Sequence, residues 1–193
     1  MSNFRILLLL IAVAVVAGAA GYATRMSISD DVTAENSVAK PPDSSPRSKI
    51  EKPLWYWEFD NLDGEKQLLS EWQGPLLVIN FWATWCPPCL KEIPSFITLQ
   101  DKFGASQVQF IGIAYDHAEA VHEFVAEKDI NYPILLGGDS VAMFMRELGN
   151  KIGALPFTAV VDDQGQIIAT HQGEWLEKDA LETLNQLLIN AVP

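Results

Sequence analysis

Cys86 and Cys89 are the only cysteines of the 193-residue chain, and Pro87 and Pro88 separate them. They follow an apolar run at residues 76–82 and precede a helical pattern, which places them at the first turn of that helix. Free backbone N–H groups and the positive end of the helix dipole stabilise an anion at such a position. We therefore expect Cys86 to be a nucleophile, with a pKa below the ~8.5 of a free cysteine.

The second cysteine, Cys89, is close enough to displace a sulfur bound to Cys86 and to close an intramolecular disulfide. A zinc site needs about four ligands, and the other candidates are three scattered histidines, His117, His122 and His171. We expect these histidines to face solvent or to be satisfied locally. A purely structural disulfide across so short a loop would constrain little chain entropy. The pattern therefore favours redox chemistry, and we expect neither a metal nor a cofactor.

Charge and length limit the remaining possibilities. From residue 53 to the end, 7 Lys and Arg side chains stand against 20 Asp and Glu. Such an acidic surface repels phosphate backbones, so nucleic acid is excluded as a partner. A chain in which 49% of the residues are hydrophobic can bury one good core, and a single domain of ~140 residues behind an N-terminal extension fits this length.

The N-terminal segment indicates export. Residues 6–24 carry no charge and are about long enough to cross a bilayer as a helix. We expect residues 1–24 to be an uncleaved membrane anchor; the alternative is a signal peptide cleaved at the small residues 17–19. Residues 25–52 are polar, contain proline and lack aromatic residues, which predicts a flexible linker. Residues 53–193 then form one domain.

Within that domain, short apolar runs alternate with helical patterns. The runs at residues 76–82 and 108–114 predict strands buried on both faces. Residues 157–162 and 166–172 flank a Gly-containing turn, which predicts a hairpin. Helical patterns cover residues 89–103, 118–128, 141–148 and 178–190. The order of these elements predicts an α/β fold with a mixed central sheet flanked by helices.

Two segments carry a family resemblance: VINFWATWCPPCLKEIP at residues 78–94 and GALPFTAVVDDQGQII at residues 153–168. The chain resembles the thioredoxin superfamily, specifically the TlpA/ResA-like branch of membrane-tethered thiol-disulfide oxidoreductases. The resemblance extends from about residue 54 to the C-terminus and implies a thioredoxin-like fold. It also implies that Cys86 is the exposed nucleophile and Cys89 the resolving cysteine.

The same resemblance implies a substrate-binding surface made of Trp85, Leu155 and Pro156. Pro156 matches the family's cis-proline, which lies against the disulfide and leaves the backbone of Leu155 free to pair with a substrate peptide. Pro94 matches the proline that kinks the active-site helix. Phe157 departs from the family pattern, in which a small polar residue is more usual.

A buried acid is the second departure. Thioredoxin has an aspartate on the strand before the motif, where this chain has Asn80, which cannot accept a proton. Glu92 lies on the same helix face as Cys89 and matches a glutamate that TlpA/ResA-like proteins use near the active site. Its alternative role is that of a first-turn glutamate that favours the helix dipole. Residues 116–148 resemble the helix-containing insertion of this branch.

The prolines between the cysteines favour a reductase, because strongly oxidising relatives have a histidine there. The resemblance implies a single-pass protein of the bacterial cytoplasmic membrane, with its catalytic domain on the periplasmic side; cleavage would leave it soluble there. It implies a membrane thiol-electron donor and disulfide-containing protein substrates, such as apocytochrome c in cytochrome c biogenesis or copper-site assembly proteins. Two alternatives stay open: a peroxiredoxin-like thiol peroxidase, and a non-catalytic module that binds metal or haem proteins.

Overall fold

The computed structural model describes residues 53–74 and 76–191. The predicted anchor at residues 1–24 and the predicted linker at residues 25–52 lie outside the described residues. In the part of the chain that is described, no helix combines the length and the apolar character needed to cross a membrane.

A mixed sheet of seven strands forms the centre of the described part, in the order β2-β1-β5-β4-β3-β6-β7. The strands are β1 Glu58–Asn61, β2 Lys66–Leu68, β3 Leu76–Trp82, β4 Val108–Ala114, β5 Ile134–Leu136, β6 Phe157–Asp162 and β7 Ile167–Gln172. Strands β3, β4 and β5 run parallel, and the other pairings are antiparallel. The predicted mixed sheet is therefore confirmed, with β3 and β4 at their predicted bounds and β6 and β7 as the predicted hairpin.

Helices lie on both sides of the sheet. The α-helices are α1 Pro87–Phe103, α2 Ala118–Lys128, α3 Val141–Glu147 and α4 Glu177–Ala191, and 3₁₀ turns form at Leu54–Tyr56, Leu69–Trp72 and Gly138–Ser140. The predicted bounds of α2 are correct; α3 ends one residue earlier than predicted, and α4 is longer than predicted by one residue at each end. Helix α1 begins two residues earlier than predicted, because proline is well suited to the first turn of a helix. Pro94 lies inside it, as expected.

Strands β1, β2 and β5 were not predicted. They are three or four residues long, which is too short to display a period, and β1 and β2 are rich in polar residues. Tertiary pairing supports them instead: β1 joins β2 on one side and β5 on the other, and Lys66 Nζ lies 2.8 Å from Asp60 Oδ1 across the β1–β2 ladder. The insertion at residues 116–148 thus contributes a strand as well as helices.

Successive residues of β3 point to opposite faces of the sheet and enter two different apolar layers. We call these layers the α1 face and the α3 face. On the α1 face, β3 residues pack with the cysteines and with helices α1 and α4: Leu76, Val78, Trp82, Cys89, Ile93, Phe96, Ala180 and Leu184. On the α3 face, they pack with α3 and with residues in and next to β1: Leu77, Ile79, Phe81, Phe144, Met145, Trp57 and Phe59.

Candidate active site

The two cysteines form a disulfide at the start of α1. The chain leaves β3 at Trp82, and Cys86 is the N-cap residue of the helix. The Sγ atoms of Cys86 and Cys89 are bonded at 2.01 Å, and the Cα atoms are 5.3 Å apart. Relative exposure is 4% for Cys86 and 0% for Cys89. Both cysteines are therefore buried in this oxidised form.

The first turn of α1 offers few hydrogen-bond donors. An N-cap side chain normally accepts from the N–H of the second or third helical residue. Here the first two helical residues are Pro87 and Pro88, which have no N–H. The N–H of Cys89 is therefore the only donor that the first three helical residues can offer to the Cys86 sulfur. The start of α1 therefore stabilises a Cys86 thiolate less than a helix start without these prolines does.

The loop before β6 packs against the apolar layer of the α1 face. The Leu155–Pro156 peptide bond is cis, as predicted. Leu155 packs against the α1 face layer that contains both cysteines. Its backbone N–H and C=O form no hydrogen bond within the described part of the chain, whereas Pro156 O accepts from Gly173 N at 2.9 Å. The backbone groups of Leu155 are thus unpaired among the described residues, whereas those on either side of it are held.

Phe157 does not contribute to this loop surface. Its side chain is buried on the α3 face, where its ring stacks on Phe81 with the centroids 5.9 Å apart. Phe157, the residue that departs from the family pattern, therefore belongs to the apolar layer of the α3 face.

Glu92 is a buried carboxyl group at the centre of a hydrogen-bond network. Its side chain is 1% exposed. Oε1 accepts from Asn80 Nδ2 at 2.8 Å, and Oε2 accepts from the backbone N–H of Trp175 at 2.9 Å. Asn80 Nδ2 also donates to Thr158 Oγ1 at 3.0 Å. Strand β3, strand β6, helix α1 and the segment before α4 thus meet at one carboxylate on the α1 face.

Burial raises the pKa of Glu92 to about 7, even though the hydrogen bonds from Trp175 and Asn80 favour the charged form. The negative charge of Glu174 acts in the same direction as burial. A carboxyl group that titrates near neutral pH one helical turn from Cys89 is suited to exchange a proton during disulfide chemistry. This environment differs from that of an exposed first-turn glutamate.

The roles of three residues in this network were missed in the sequence: Asn80 and Trp175, which donate to Glu92, and Thr158, which accepts from Asn80. Asn80 was interpreted only as the absence of the buried aspartate of thioredoxin, yet its side chain donates a hydrogen bond to Glu92. Asn80 and Thr158 are buried polar residues in strands that are otherwise apolar, and this break in the apolar pattern is a signal that sequence reasoning could have used. Trp175 contributes its backbone N–H, for which the side-chain sequence gives no signal.

Trp85 is 63% exposed beside the disulfide. It lines an open groove of about 480 Å³ whose other residues are Tyr115, Asp116, His117, Gly138 and Asp139. His117 is far from the cysteines in sequence, and the fold brings it to the same groove as Trp85. Among the described residues, no group of three or more His, Cys, Asp or Glu side chains is arranged to hold a metal ion.

Comparison with protein families gives a match to the Redoxin family over residues 39–188. The thiol-disulfide oxidoreductase ResA of Bacillus thuringiensis subsp. konkukian is 29% identical over 130 residues, which are 66% of this chain and 72% of the relative. The thioredoxin-like protein YneN of Bacillus subtilis is 29% identical over 133 residues, covering 67% and 75% of the two chains.

Solved structures extend the comparison. A thioredoxin-related protein from Neisseria meningitidis serogroup B is 32% identical, with a TM-score of 0.60 and coverage of 67% of this chain and 98% of that chain. A thiol:disulfide interchange protein from Chlorobium tepidum is 24% identical, with a TM-score of 0.61 and coverage of 71% and 96%. This second likeness concerns the fold alone. These similarities agree with the fold and with the cysteine pair at the start of α1.

Proposed function

The chain belongs to the Redoxin family and is a TlpA/ResA-like thiol-disulfide oxidoreductase of the thioredoxin superfamily, and we propose that it is a disulfide reductase that works outside the cytoplasm. The observation that carries the proposal is the environment of the disulfide: two prolines lie between its cysteines, and the buried Glu92 carboxyl lies on the same helix one turn beyond Cys89. The prolines and the carboxyl group both affect the stability of the thiolate in the reduced form.

The direction of electron flow follows from that stability. A strongly oxidising dithiol owes its high potential to a well-stabilised thiolate in the reduced form. Pro88, the second helical residue, removes one of the two N–H donors that an N-cap side chain normally uses, here on the side of the Cys86 sulfur. The charge of ionised Glu92 disfavours a thiolate on Cys86 and Cys89 by repulsion. Both effects lower the reduction potential and favour donation of electrons to a substrate.

In the proposed reaction, the Cys86 thiolate attacks one sulfur of a substrate disulfide. A Cys86–substrate disulfide forms, and the other substrate sulfur leaves as a thiolate that takes a proton from solvent. The Cys89 thiol then loses its proton, and its thiolate attacks Cys86 Sγ. The substrate leaves with two thiols and has gained the two electrons that the Cys86–Cys89 dithiol lost on forming its disulfide.

Glu92 is the proposed acceptor of the Cys89 proton. Cys89 is fully buried, and burial opposes its ionisation. A carboxylate with a pKa of about 7 is ionised in about half of the molecules at neutral pH and can take a proton there. Replacement by Gln removes the acceptor, so we expect slower release of the substrate from the mixed disulfide.

Substrate peptides are proposed to bind at the rim of the disulfide. The unpaired backbone of Leu155, next to the cis-peptide at Pro156, offers one donor and one acceptor to an extended chain. Trp85, which directly precedes Cys86, offers an exposed aromatic surface. The substrate cysteine would lie between them.

The location and partners are proposed on the basis of the sequence. The apolar segment at residues 6–24 supports attachment to the bacterial cytoplasmic membrane with the domain on the periplasmic side, or release there after cleavage. A reductase in an oxidising compartment needs a supply of electrons, and a membrane thiol-electron donor fills that need. Apocytochrome c, with its haem-binding cysteines, and copper-site assembly proteins are the proposed substrates.

The reduction potential tests the direction. We expect equilibration with thiol redox buffers to give a Cys86–Cys89 potential below about −200 mV, and insulin to be reduced in the presence of a dithiol. A potential near about −120 mV, typical of a strong oxidant, would overturn the proposal.

Trapping tests the roles of the two cysteines. Cys89→Ser should accumulate mixed disulfides with substrates because the resolving thiol is missing. Cys86→Ser is the matched control and should accumulate none. Equal trapping by both variants would mean that Cys86 is not the nucleophile.

A further inference from the structure

The groove beside Trp85 has walls from three elements of the fold. Parallel strands β5, β4 and β3 lie side by side, so their carboxyl ends meet at one edge of the sheet. The segment after β3 contributes Trp85, the segment after β4 contributes Tyr115, and the 3₁₀ turn after β5 contributes Asp139. Crevices at the carboxyl ends of parallel strands are the usual ligand sites of α/β sheets.

Hydrogen bonds hold these walls in place. The Asp116 carboxylate accepts from the Thr84 side chain and, at 2.9 Å, from the Thr84 backbone N–H, which ties the loop before Cys86 to the end of β4. The N–H of Gly137 donates to Ala114 O at 2.8 Å. A Cβ on Gly137 would lie 2.5 Å from Val141 Cβ, so only glycine permits this close approach. The groove is therefore built before any ligand arrives.

The chemistry of the groove suits a cation. Trp85 and Tyr115 are 63% and 44% exposed and present aromatic rings. Asp116 and Asp139 add two carboxyl groups, and none of the six lining residues is Lys or Arg. Burial works against the charge of Asp116, but hydrogen bonds from Thr84 and from the backbone of His117 hold its pKa below the usual value, so it is anionic at neutral pH.

We propose that this groove binds a Lys or Arg side chain of the substrate, close in sequence to the cysteine that Cys86 attacks. Aromatic rings and a nearby carboxylate together bind a side-chain cation by cation–π and ion-pair contacts. Trp85 directly precedes Cys86, and consecutive Cα atoms are about 3.8 Å apart, so the cation belongs to a residue about one to three positions from the substrate cysteine. This inference rests on the proposed function and adds a substrate class to it.

Matched peptides test the preference. Each peptide carries one cysteine in a disulfide with a chromogenic aryl thiol, and the peptides differ only at the second residue after the cysteine, which is Lys, Leu or Glu. Reduced protein attacks the peptide sulfur and releases the aryl thiolate, whose absorbance gives the rate constant. We expect Lys to exceed Leu by about threefold to tenfold and Glu to be slowest, with the Lys advantage decreasing at high salt.

Variants assign the preference to the groove. Asp139→Asn and Tyr115→Leu should each reduce the ratio of the Lys rate to the Leu rate within the same protein. Asp163→Asn is the control: it makes the same charge change in the β6–β7 turn, at the opposite edge of the sheet from Cys86, and should keep the ratio. An equal loss in Asp163→Asn, or equal wild-type rates for Lys and Leu, would overturn the proposal.

The test separates this inference from the function on which it rests. If no peptide is reduced, and insulin is not reduced either, the reductase function fails. If the Leu peptide is reduced as fast as the Lys peptide, the reductase stands and the cation preference is wrong.

Discussion

The two faces of the sheet are built from the same strands and differ in what they bury beside apolar side chains. On the α3 face, residues of β3 and β6 that point one way pack in an apolar cluster with the aromatic rings around Phe144. On the α1 face, the alternate residues also form an apolar cluster but include Asn80 and Thr158, and Asn80 donates to the buried Glu92 carboxyl group and to Thr158. Both faces therefore stabilise the fold, and on the α1 face these strands also place two polar side chains around a carboxyl group on the helix that carries the cysteines.

The largest expected effect comes from the α3 face. The Phe144 ring lies 4.7 Å from Trp57, 5.4 Å from Phe59 and 5.6 Å from Phe81, centroid to centroid. Phe144→Ala should lower the free energy of unfolding by about 3–5 kcal/mol, measured by denaturant titration. Because the side chain faces away from α1, the Cys86–Cys89 potential should stay unchanged.

Phe96→Ala is the counterpart on the α1 face. Its ring packs edge-on against Trp175, whose backbone N–H binds Glu92. We expect a similar loss of stability together with a change in the pKa of Glu92. A shift of about 30 mV in the Phe144→Ala potential, equivalent to 1.4 kcal/mol for two electrons, would contradict the separation of the two faces.

Glu92 provides the next largest effect, through pH. Its pKa is about 7 in the folded protein and 4.5 in a free side chain, so between these values the folded state binds more protons than the unfolded state. Stability therefore decreases as pH rises through this window, by roughly 3 kcal/mol at most. Unfolding titrations of the oxidised protein from about pH 4 to pH 8 should show this decrease.

Glu92→Gln removes the titrating group, so its stability should not decrease in this way over the same window. Glu182→Gln, at an exposed position of α4, is the control and should keep the wild-type profile. If Glu92→Gln follows the wild-type profile too, another group causes the pH dependence.

The network around Glu92 also shows where sequence reasoning reaches its limit. Strands β3 and β4 were predicted to the residue because each is a seven-residue run with a single polar side chain, Asn80 in β3 and Gln109 in β4. The helical spacing placed Glu92 on the face of Cys89. Its burial and partners depend on Asn80 in β3 and Trp175 before α4, which only the tertiary structure brings to the helix.

The groove beside Trp85 likewise depends on contacts that only the tertiary structure makes. Trp85 was expected at the site from the resemblance, but the other walls of the groove come from the segments that follow β4 and β5, at residues 115–117 and 138–139. Strand β5 is three residues long and gave no periodic signal. Pairing of β5 with β4 and β1 decides where Asp139 lies, and that pairing is a long-range property of the chain.

Asn80 is expected to have a smaller effect than removal of Glu92 itself. Its Nδ2 donates to the carboxylate and favours the charged form. Asn80→Leu removes this donor, so the pKa of Glu92 should rise further, by about one to two, as expected for the loss of a hydrogen bond to a charged group. The carboxyl carbon of Glu92, followed by NMR against pH, measures the change directly.

Thr158→Val is the matched control for Asn80. It removes the other partner of Asn80 Nδ2 but keeps the bond to Glu92, so its effect on the Glu92 pKa should be smaller. Equal shifts in the two variants would mean that the polarity of the α1 face as a whole, rather than the Asn80–Glu92 bond, sets the pKa.

The smallest expected effect concerns Pro88, the second residue of α1, where an N–H would normally point at the N-cap side chain. Pro88→Ala restores that donor to the side of the Cys86 sulfur. A hydrogen bond of about 1 kcal/mol to the thiolate lowers the pKa of Cys86 and raises the potential of the couple by on the order of 20 mV, because the reduced form gains the stabilisation. Thiolate absorbance against pH measures the pKa, and equilibration with thiol buffers measures the potential.

Pro94→Ala is the control for Pro88→Ala. It also adds an N–H to α1, but two turns from Cys86, and should leave the pKa of Cys86 and the potential unchanged. An equal shift in the Pro94 variant would trace the effect to helix stability in general. No shift in the Pro88 variant would remove the missing donor as a cause of the proposed low potential of the pair.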